Sequence, residues 1–267
     1  SIACYYLGKI EEAFRCNDKA LELAPENMDV LTQYGILFEA TNPKKSIKCY
    51  EEVLKQDPKN VNARFRKGVI LSKTTSMRGL AFSTKDRLDA IKHFKGVLKQ
   101  DPKHVNAWTM IGKVFYELDK KRHAGDIFLC CEAILEHDPD NMEAWDLIRK
   151  MGYKKYTQSI FKCCEIAHKK DPTNSQAWMM KAYVLILSNQ YEEAFQCLNT
   201  IQEIAPDESP HIVWNLKGEV AEKLKNHEEC LKCYEKAIEL DPKDGTGTYI
   251  GHAQRMVKKE RKYLSEH

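Results

Sequence analysis

The stretch SQAWMMKAYVLILSNQYEEAFQCLNTIQEIAP, residues 175–206, holds two apolar-periodic runs parted by Ser188, Asn189 and Gln190. Apolar residues recurring every three or four places mark one face of a helix, and a break of turn formers ends it. The stretch therefore predicts helix, turn, helix. Its Pro206 is one of seven proline landmarks, with Pro25, Pro58, Pro102, Pro139, Pro172 and Pro242, spaced by 33, 44, 37, 33, 34 and 36 residues. Such a period marks a repeat array, in which one unit cannot bury its apolar face alone and copies stack into a solenoid.

Aligning the units on their prolines brings Trp108, Trp145, Trp178 and Trp214 to the fourth place of the first helix. Four places later most units carry a small residue, Gly35, Gly68, Gly112, Ala182 or Gly218, where a side chain would block close approach of a neighbouring helix. In the second helix the twentieth place carries Ala13, Ser46, Ala90, Ile127, Ile160, Ala194 and Cys230. The twenty-seventh carries Ala20, Val53, Val97, Ile134, Ala167, Ile201 and Ala237. Places seven apart share a helical face.

With Trp, a small residue, Ala, an aromatic, Ala and Pro at these offsets, the sequence resembles the tetratricopeptide-repeat family. The resemblance covers nearly the whole chain. It implies an all-α fold: a right-handed solenoid superhelix of about seven helix-turn-helix units, at about 1–27, 28–60, 61–104, 105–141, 142–174, 175–208 and 211–244, closed by a capping helix at 245–267. Ser1 falls at the eighth place of its unit, so the chain reads as a fragment. Arg149 replaces the small residue of the fifth unit, Asn17 replaces an aromatic, and Lys181 takes a normally apolar core place.

The chain has 267 residues, long for one compact core but natural for a fold that grows lengthwise. Its 42 basic and 39 acidic residues leave a net charge of +3, no strong field toward nucleic acid or an anionic membrane. No apolar run reaches the roughly 18 residues of a membrane span, and no signal peptide is visible. Of ten cysteines, Cys16, Cys49, Cys130, Cys163, Cys197 and Cys233 share the twenty-third place. Equivalent places on stacked helices lie roughly 8 to 10 Å apart, too far for a disulfide, whose Cα atoms stand within about 7 Å. A semi-buried packing position explains them. The CLKC of Cys230 and Cys233 lacks a second ligand pair at zinc-site spacing. Free thiols in this number point to a reducing, cytoplasmic compartment.

No catalytic or phosphate-binding motif is present, and neither a metal nor another cofactor is expected. His137 and His168 fall in final helical turns, where a cation suits the dipole. The expected function is accordingly non-enzymatic: a protein–protein interaction scaffold. The resemblance implies a concave groove lined by the first helices, which takes a peptide or protein segment. Its places in the sixth unit are Gln176, Met179, Tyr183, Ile186 and Leu187, apolar among charged neighbours. The fourth unit gives Asn106, Thr109, Lys113, Tyr116 and Glu117, and the fifth Glu143, Asp146, Lys150, Tyr153 and Lys154. Met179, Tyr183, Ile186 and Leu187 are the expected anchor, with Tyr116, Tyr153, Lys113 and Lys150 as secondary contacts and Phe65 and Val69 as a smaller apolar pair in the third unit.

The family's clamp for the C-terminal carboxylates of heat-shock chaperones is disfavoured, because no unit pairs Lys with Asn at the fifth and ninth places. Two features lie outside the regular units. About ten extra residues around 74–85, with Met77, Leu80 and Phe82, form an insertion that either packs on itself or meets a partner. A final helix carries Tyr249, Ala253, Met256, Glu260 and Tyr263 on one face and a KKERK run mostly elsewhere, which reads as a polar cap rather than an RNA site. Self-assembly into a homo-oligomer through exposed repeat faces is the alternative.

Overall fold

The computed structural model describes residues 10–73, 83–208, 210–240 and 248–266, without the side chains of Ile10 and residues 248–250. Among these residues there are fourteen helices and no strand. The fold is an all-α solenoid of consecutive helices. The insertion residues Met77, Leu80 and Phe82, the link before the last helix and the side chain of Tyr249 lie outside the described residues. The chain divides into two compact units, Ser1–Ile134 and Leu135–His267.

In the first unit, α1 (Ile10–Leu23), α2 (Met28–Phe38), α3 (Pro43–Gln56), α4 (Val61–Leu71), α5 (Thr84–Leu98), α6 (Val105–Asp119) and the start of α7 (Ala124–His137) follow one another. Close approach within a hairpin is what the glycines permit. A Cβ added at Gly35 of α2 would stand 2.6 Å from the Tyr50 ring of α3, and one at Gly68 of α4 would stand 2.8 Å from the Phe94 ring of α5. The backbones come near enough for Ser46 Oγ to donate to the Gly35 carbonyl at 2.7 Å.

The second unit continues with α8 (Met142–Met151), α9 (Thr157–Lys170), α10 (Ser175–Leu187), α11 (Tyr191–Ile204), α12 (Pro210–Lys223), α13 (His227–Leu240) and α14 (Thr248–Glu266). The glycine–aromatic contact recurs here between Gly218 of α12 and Tyr234 of α13, at 2.8 Å from the added Cβ. Two helices end on a non-glycine residue in the left-handed region, Asn189 at φ 60° and Lys225 at φ 58°. Behind each, an amide reaches five residues back, Gln190 N to the Leu185 carbonyl and Asn226 N to that of Ala221, the bond that closes a Schellman turn.

Every residue at the twentieth place is fully buried, and so are Val53, Val97, Ile134 and Ala167 at the twenty-seventh. A second device starts the first helices. After Pro25, Pro58, Pro102, Pro139 and Pro172, the residue two places on is Asn27, Asn60, His104, Asn141 or Asn174, and each accepts a backbone N–H of the new helix through its side chain. The tryptophans close the same corner: the indole N–H donates to the proline carbonyl six residues back, Trp108 to Pro102 at 2.9 Å, Trp145 to Pro139 at 2.8 Å and Trp178 to Pro172 at 2.9 Å.

The cysteines follow the core rather than a redox ladder. Cys130, Cys163, Cys197 and Cys233 are buried, deeper than the semi-buried place expected, Cys197 in one core with Val213, Leu216 and Val220 of the following first helix; Cys49 is half-buried and Cys16 exposed. Burial pushes the thiols of Cys131, Cys164, Cys230 and Cys233 up to about 12, away from the thiolate form.

Helix α14 packs Ala253, Met256 and Val257 against Ala221, Cys230 and Tyr234. Glu260, on the same face, is 1% exposed, and its carboxylate meets His227 Nδ1 at 2.6 Å. Two members of the basic run are tied back to the array, Lys259 Nζ to Glu222 at 2.9 Å and Arg261 Nη2 to Glu235 at 2.6 Å. No helix among the described residues is long and apolar enough to cross a membrane.

Gly218→Ala, which forces a methyl into the Tyr234 ring, is expected to cost about 1 to 3 kcal/mol in urea unfolding. Gly125→Ala, with nothing within 4 Å of the new atom, is expected to be neutral or to stabilise by up to about 1 kcal/mol.

Candidate functional site

Helix α8 is short for a first helix: it stops at Met151 because Gly152 turns left-handed at φ 90°. Tyr153 therefore stands in the turn to α9 and not on a helix, which corrects the groove place expected of it. Its ring stacks on that of Tyr183 from α10, with centroids 5.5 Å apart and planes 24° apart. Burial raises the Tyr153 phenol above its ordinary value, against the opposing pull of Arg149, so Tyr153 meets the Tyr183 ring as a neutral, amphipathic surface.

Beside this pair lies a cleft of about 220 Å³, lined also by Met179, Met180, Ile201 and Ile212. Arg149, Ser175, Gln176 and Glu208 complete the lining, and they form one polar chain. Arg149 is bonded to Asp146, and its Nη1 donates to Gln176 Oε1 at 3.3 Å. Gln176 Nε2 then donates to Glu208 Oε1 at 2.8 Å, and Ser175 Oγ donates to the other oxygen of Glu208. Arg149 and Asp146 thus form an ion pair, while Glu208 is held by the neutral donors of Gln176 and Ser175, leaving a polar, hydrogen-bonded rim around an apolar floor.

Of the residues expected in a groove, the second unit brings Tyr153, Met179, Tyr183 and Gln176 into this cleft. Ile186 instead packs on the core of α10, α11 and α12, and Leu187, the last residue of α10, is 46% exposed. Much of the apolar character of α10 is therefore answered by α9 and α11, which flank it. Lys150 is exposed on α8 outside the cleft. Arg149, Met180, Ile201, Glu208 and Ile212 escaped the sequence reading; Arg149 had been flagged only as a departure from the repeat. In the first unit, Phe65 is half-buried, 5.6 Å from the Phe94 ring and 5.0 Å from that of His104, and Val69 and Lys113 are half-buried. Tyr116 lies under Lys120 Nζ at 5.2 Å. Thr109, expected in the groove, is 5% exposed because α6 turns it inward.

Lys181 at its apolar place is resolved by an aromatic partner. Its Nζ stands 5.2 Å over the Trp178 ring, whose other neighbour is the His168 ring at 4.3 Å. The next unit repeats the arrangement more deeply: Lys217, 5% exposed, lies 4.6 Å from Trp214 and 4.9 Å from Phe195 and donates to Gln202 Oε1 at 2.6 Å. A cation over an aromatic face recovers part of its lost hydration. His168 is thus no cation at a helix end. Burial, then the Lys181 charge, lowers its pKa to about 4, so it stacks as a neutral ring.

Family models for the tetratricopeptide repeat match residues 175–208 and 211–244. No curated protein matches the chain in sequence. Among solved structures, that of Naa15/Naa10 bound to HypK-THB superposes with a TM-score of 0.55 at 16% identity, covering 98% of this chain and 38% of the chain it matches. The chain therefore spans well under half of that relative's length, and the likeness is one of fold. A tetratricopeptide repeat protein from Parabacteroides merdae superposes with a TM-score of 0.48 at 14% identity, covering 97% and 95% of the two chains.

Because His168 is held neutral down to about pH 4 while an unfolded histidine takes its proton near about pH 6.5, its contribution to stability is complete above about 6.5 and is lost as pH falls toward 4. Imidazole NMR titration is expected to place the His168 midpoint well below the ordinary histidine range, and Lys181→Met to move it upward. An unmoved midpoint in that variant contradicts the stack described.

Proposed function

We propose that this chain, a tetratricopeptide-repeat protein and as such a protein–protein interaction scaffold, docks a peptide or protein segment in the cleft of its second unit. The observation that carries the reading is the stacked pair Tyr153 and Tyr183 beside a small apolar floor. At about 220 Å³ the cleft is below the roughly 300 to 1,000 Å³ usual for small-molecule sites, and its size suits an apolar side chain presented by a longer chain. Stacked tyrosines offer wide contact area at little cost in side-chain entropy. The rim favours an uncharged anchor: Asp146 and Arg149 are already paired, an anion would meet the Glu208 carboxylate, and a cation would compete with the two hydrogen bonds that Glu208 accepts from Ser175 and Gln176.

The chain on this reading positions partners and performs no reaction, which the raised thiol pKa values support. The thiols of Cys16, Cys49, Cys130, Cys164, Cys197, Cys230 and Cys233 are free, in keeping with a reducing, cytoplasmic setting. Nucleic acid is disfavoured as ligand of the last helix because Lys259 and Arg261 are engaged by Glu222 and Glu235.

Selection of random peptides on the full chain, followed by calorimetry on the best binder, tests this. Peptides with a recurrent apolar anchor are expected, and both Tyr153→Ala and Tyr183→Glu should weaken them about tenfold or more with circular dichroism unchanged. Binders unaffected by both substitutions would place docking elsewhere.

A further inference from the structure

A second site lies in the first unit, on the surface made by α4, α5 and the turn before α4. A cleft of about 760 Å³ there is lined by Lys59, Arg64, Lys92, Lys95, Gly96 and Lys99, and by no carboxylate. Lys92, Lys95 and Lys99 fall at i, i+3 and i+7 and so form a rail along one face of α5. Lys92 has a partner in Asp89 at 2.7 Å. The other lysines of the cleft, Lys59, Lys95 and Lys99, form no ion pair among the described residues. A cation near the end of α5 suits the helix dipole, but the dipole acts over one turn and asks for neither Lys59 nor Arg64 across the cleft.

Arg64 shows that the site is built rather than incidental. Its side chain lies against α5 where Gly96 has no side chain; a Cβ there would stand 2.8 Å from both Cδ and Nη1 of Arg64. Nη2 is bonded to the Pro58 carbonyl, and Nε is buried with no hydrogen-bond partner. A guanidinium fixed by a backbone carbonyl, with a donor left unused and no carboxylate in the cleft, is arranged to receive an anion. Three carboxylates, Glu51, Asp86 and Asp89, line a neighbouring hollow together with Arg64 and Lys92.

Lys95 and Lys99 also border a second hollow of about 360 Å³, lined by Leu98, Trp108, Ile111, Phe115, Leu129 and Cys130 and by one carboxylate, Asp126, which His123 Nδ1 meets at 3.3 Å. Leu129 is 55% exposed at its edge, a large apolar side chain left in water. Cationic cleft and apolar hollow thus share two lysines.

We propose that this face binds an acidic protein segment carrying one large apolar side chain, with its carboxylates along the lysine rail and at Arg64 and its anchor in the hollow. The rail from Lys92 to Lys99 rises about 10 Å, the reach of about three residues of extended chain. Nucleic acid would use the cations and leave the hollow empty, since stacking bases need open aromatic faces and the Trp108 indole is tied to Pro102. The site shares no residue with the cleft of the second unit.

Fluorescence anisotropy of the full chain tests this with a labelled peptide of three glutamates on each side of a central phenylalanine. Binding is expected that weakens as salt rises from about 50 to about 300 mM. Serine in place of the phenylalanine, the double variant Lys95→Glu with Lys99→Glu, and Leu129→Asp should each weaken it about tenfold or more. These side chains are exposed, and thermal melts followed by circular dichroism verify that the variants fold. Tyr183→Glu should leave this binding unchanged, so the two sites stand or fall separately. Equal affinity for the serine peptide or for an oligouridylate of matched charge, no binding of the phenylalanine peptide, or full affinity in the charge-reversed variant would overturn the proposal.

Discussion

The contact on which the rest of the molecule depends is that of a glycine on one helix with an aromatic ring on the next. At Gly35 with Tyr50, Gly68 with Phe94 and Gly218 with Tyr234, the ring occupies the space a methyl would need. This fixes how closely the two helices of a hairpin approach, and with it the register in which the buried faces meet. The corner between hairpins is then set by the proline carbonyl that receives the tryptophan indole and by the asparagine that caps the next helix. Residues that serve neither purpose are left to vary.

The candidate cleft arises where that contact is missing. In the fifth unit Arg149 stands at the glycine place, and the aromatic place is filled by Cys164, 1% exposed. With no ring to accommodate, position 149 carries a long side chain that reaches Gln176, and Gly152 ends the helix early enough to free Tyr153 for Tyr183. A local departure from the repeat is thus converted into a binding feature, as expected where consistency between levels gives way.

Much of this was legible in the chain. Proline spacing and the recurrent apolar and small places of the two helices predicted the hairpins because burial is periodic and periodicity survives in sequence. Tyr183 and Met179 were found through the same register. Tyr153 was assigned to a helix because register assumes the helix continues, and one glycine at positive φ ends it. His168 and Lys181 were misjudged alone, since each depends on its contact with the Trp178 ring. Arg149 and Glu208 meet Gln176 from α8 and from the turn after α11, a contact that linear spacing does not encode. Net charge misled in another way: 42 basic against 39 acidic residues average to near neutrality while Lys59, Arg64, Lys92, Lys95 and Lys99 gather in one cleft.

Methionine-methyl NMR tests the docking claim most directly. With carbon-13 in every methionine methyl, spectra of the full chain are recorded as a peptide selected on it is added. The account predicts shifts at Met179 and Met180, which line the cleft, and still resonances at Met28 and Met110 of the first unit. Shifts at Met28 or Met110 with Met179 and Met180 unmoved would contradict it.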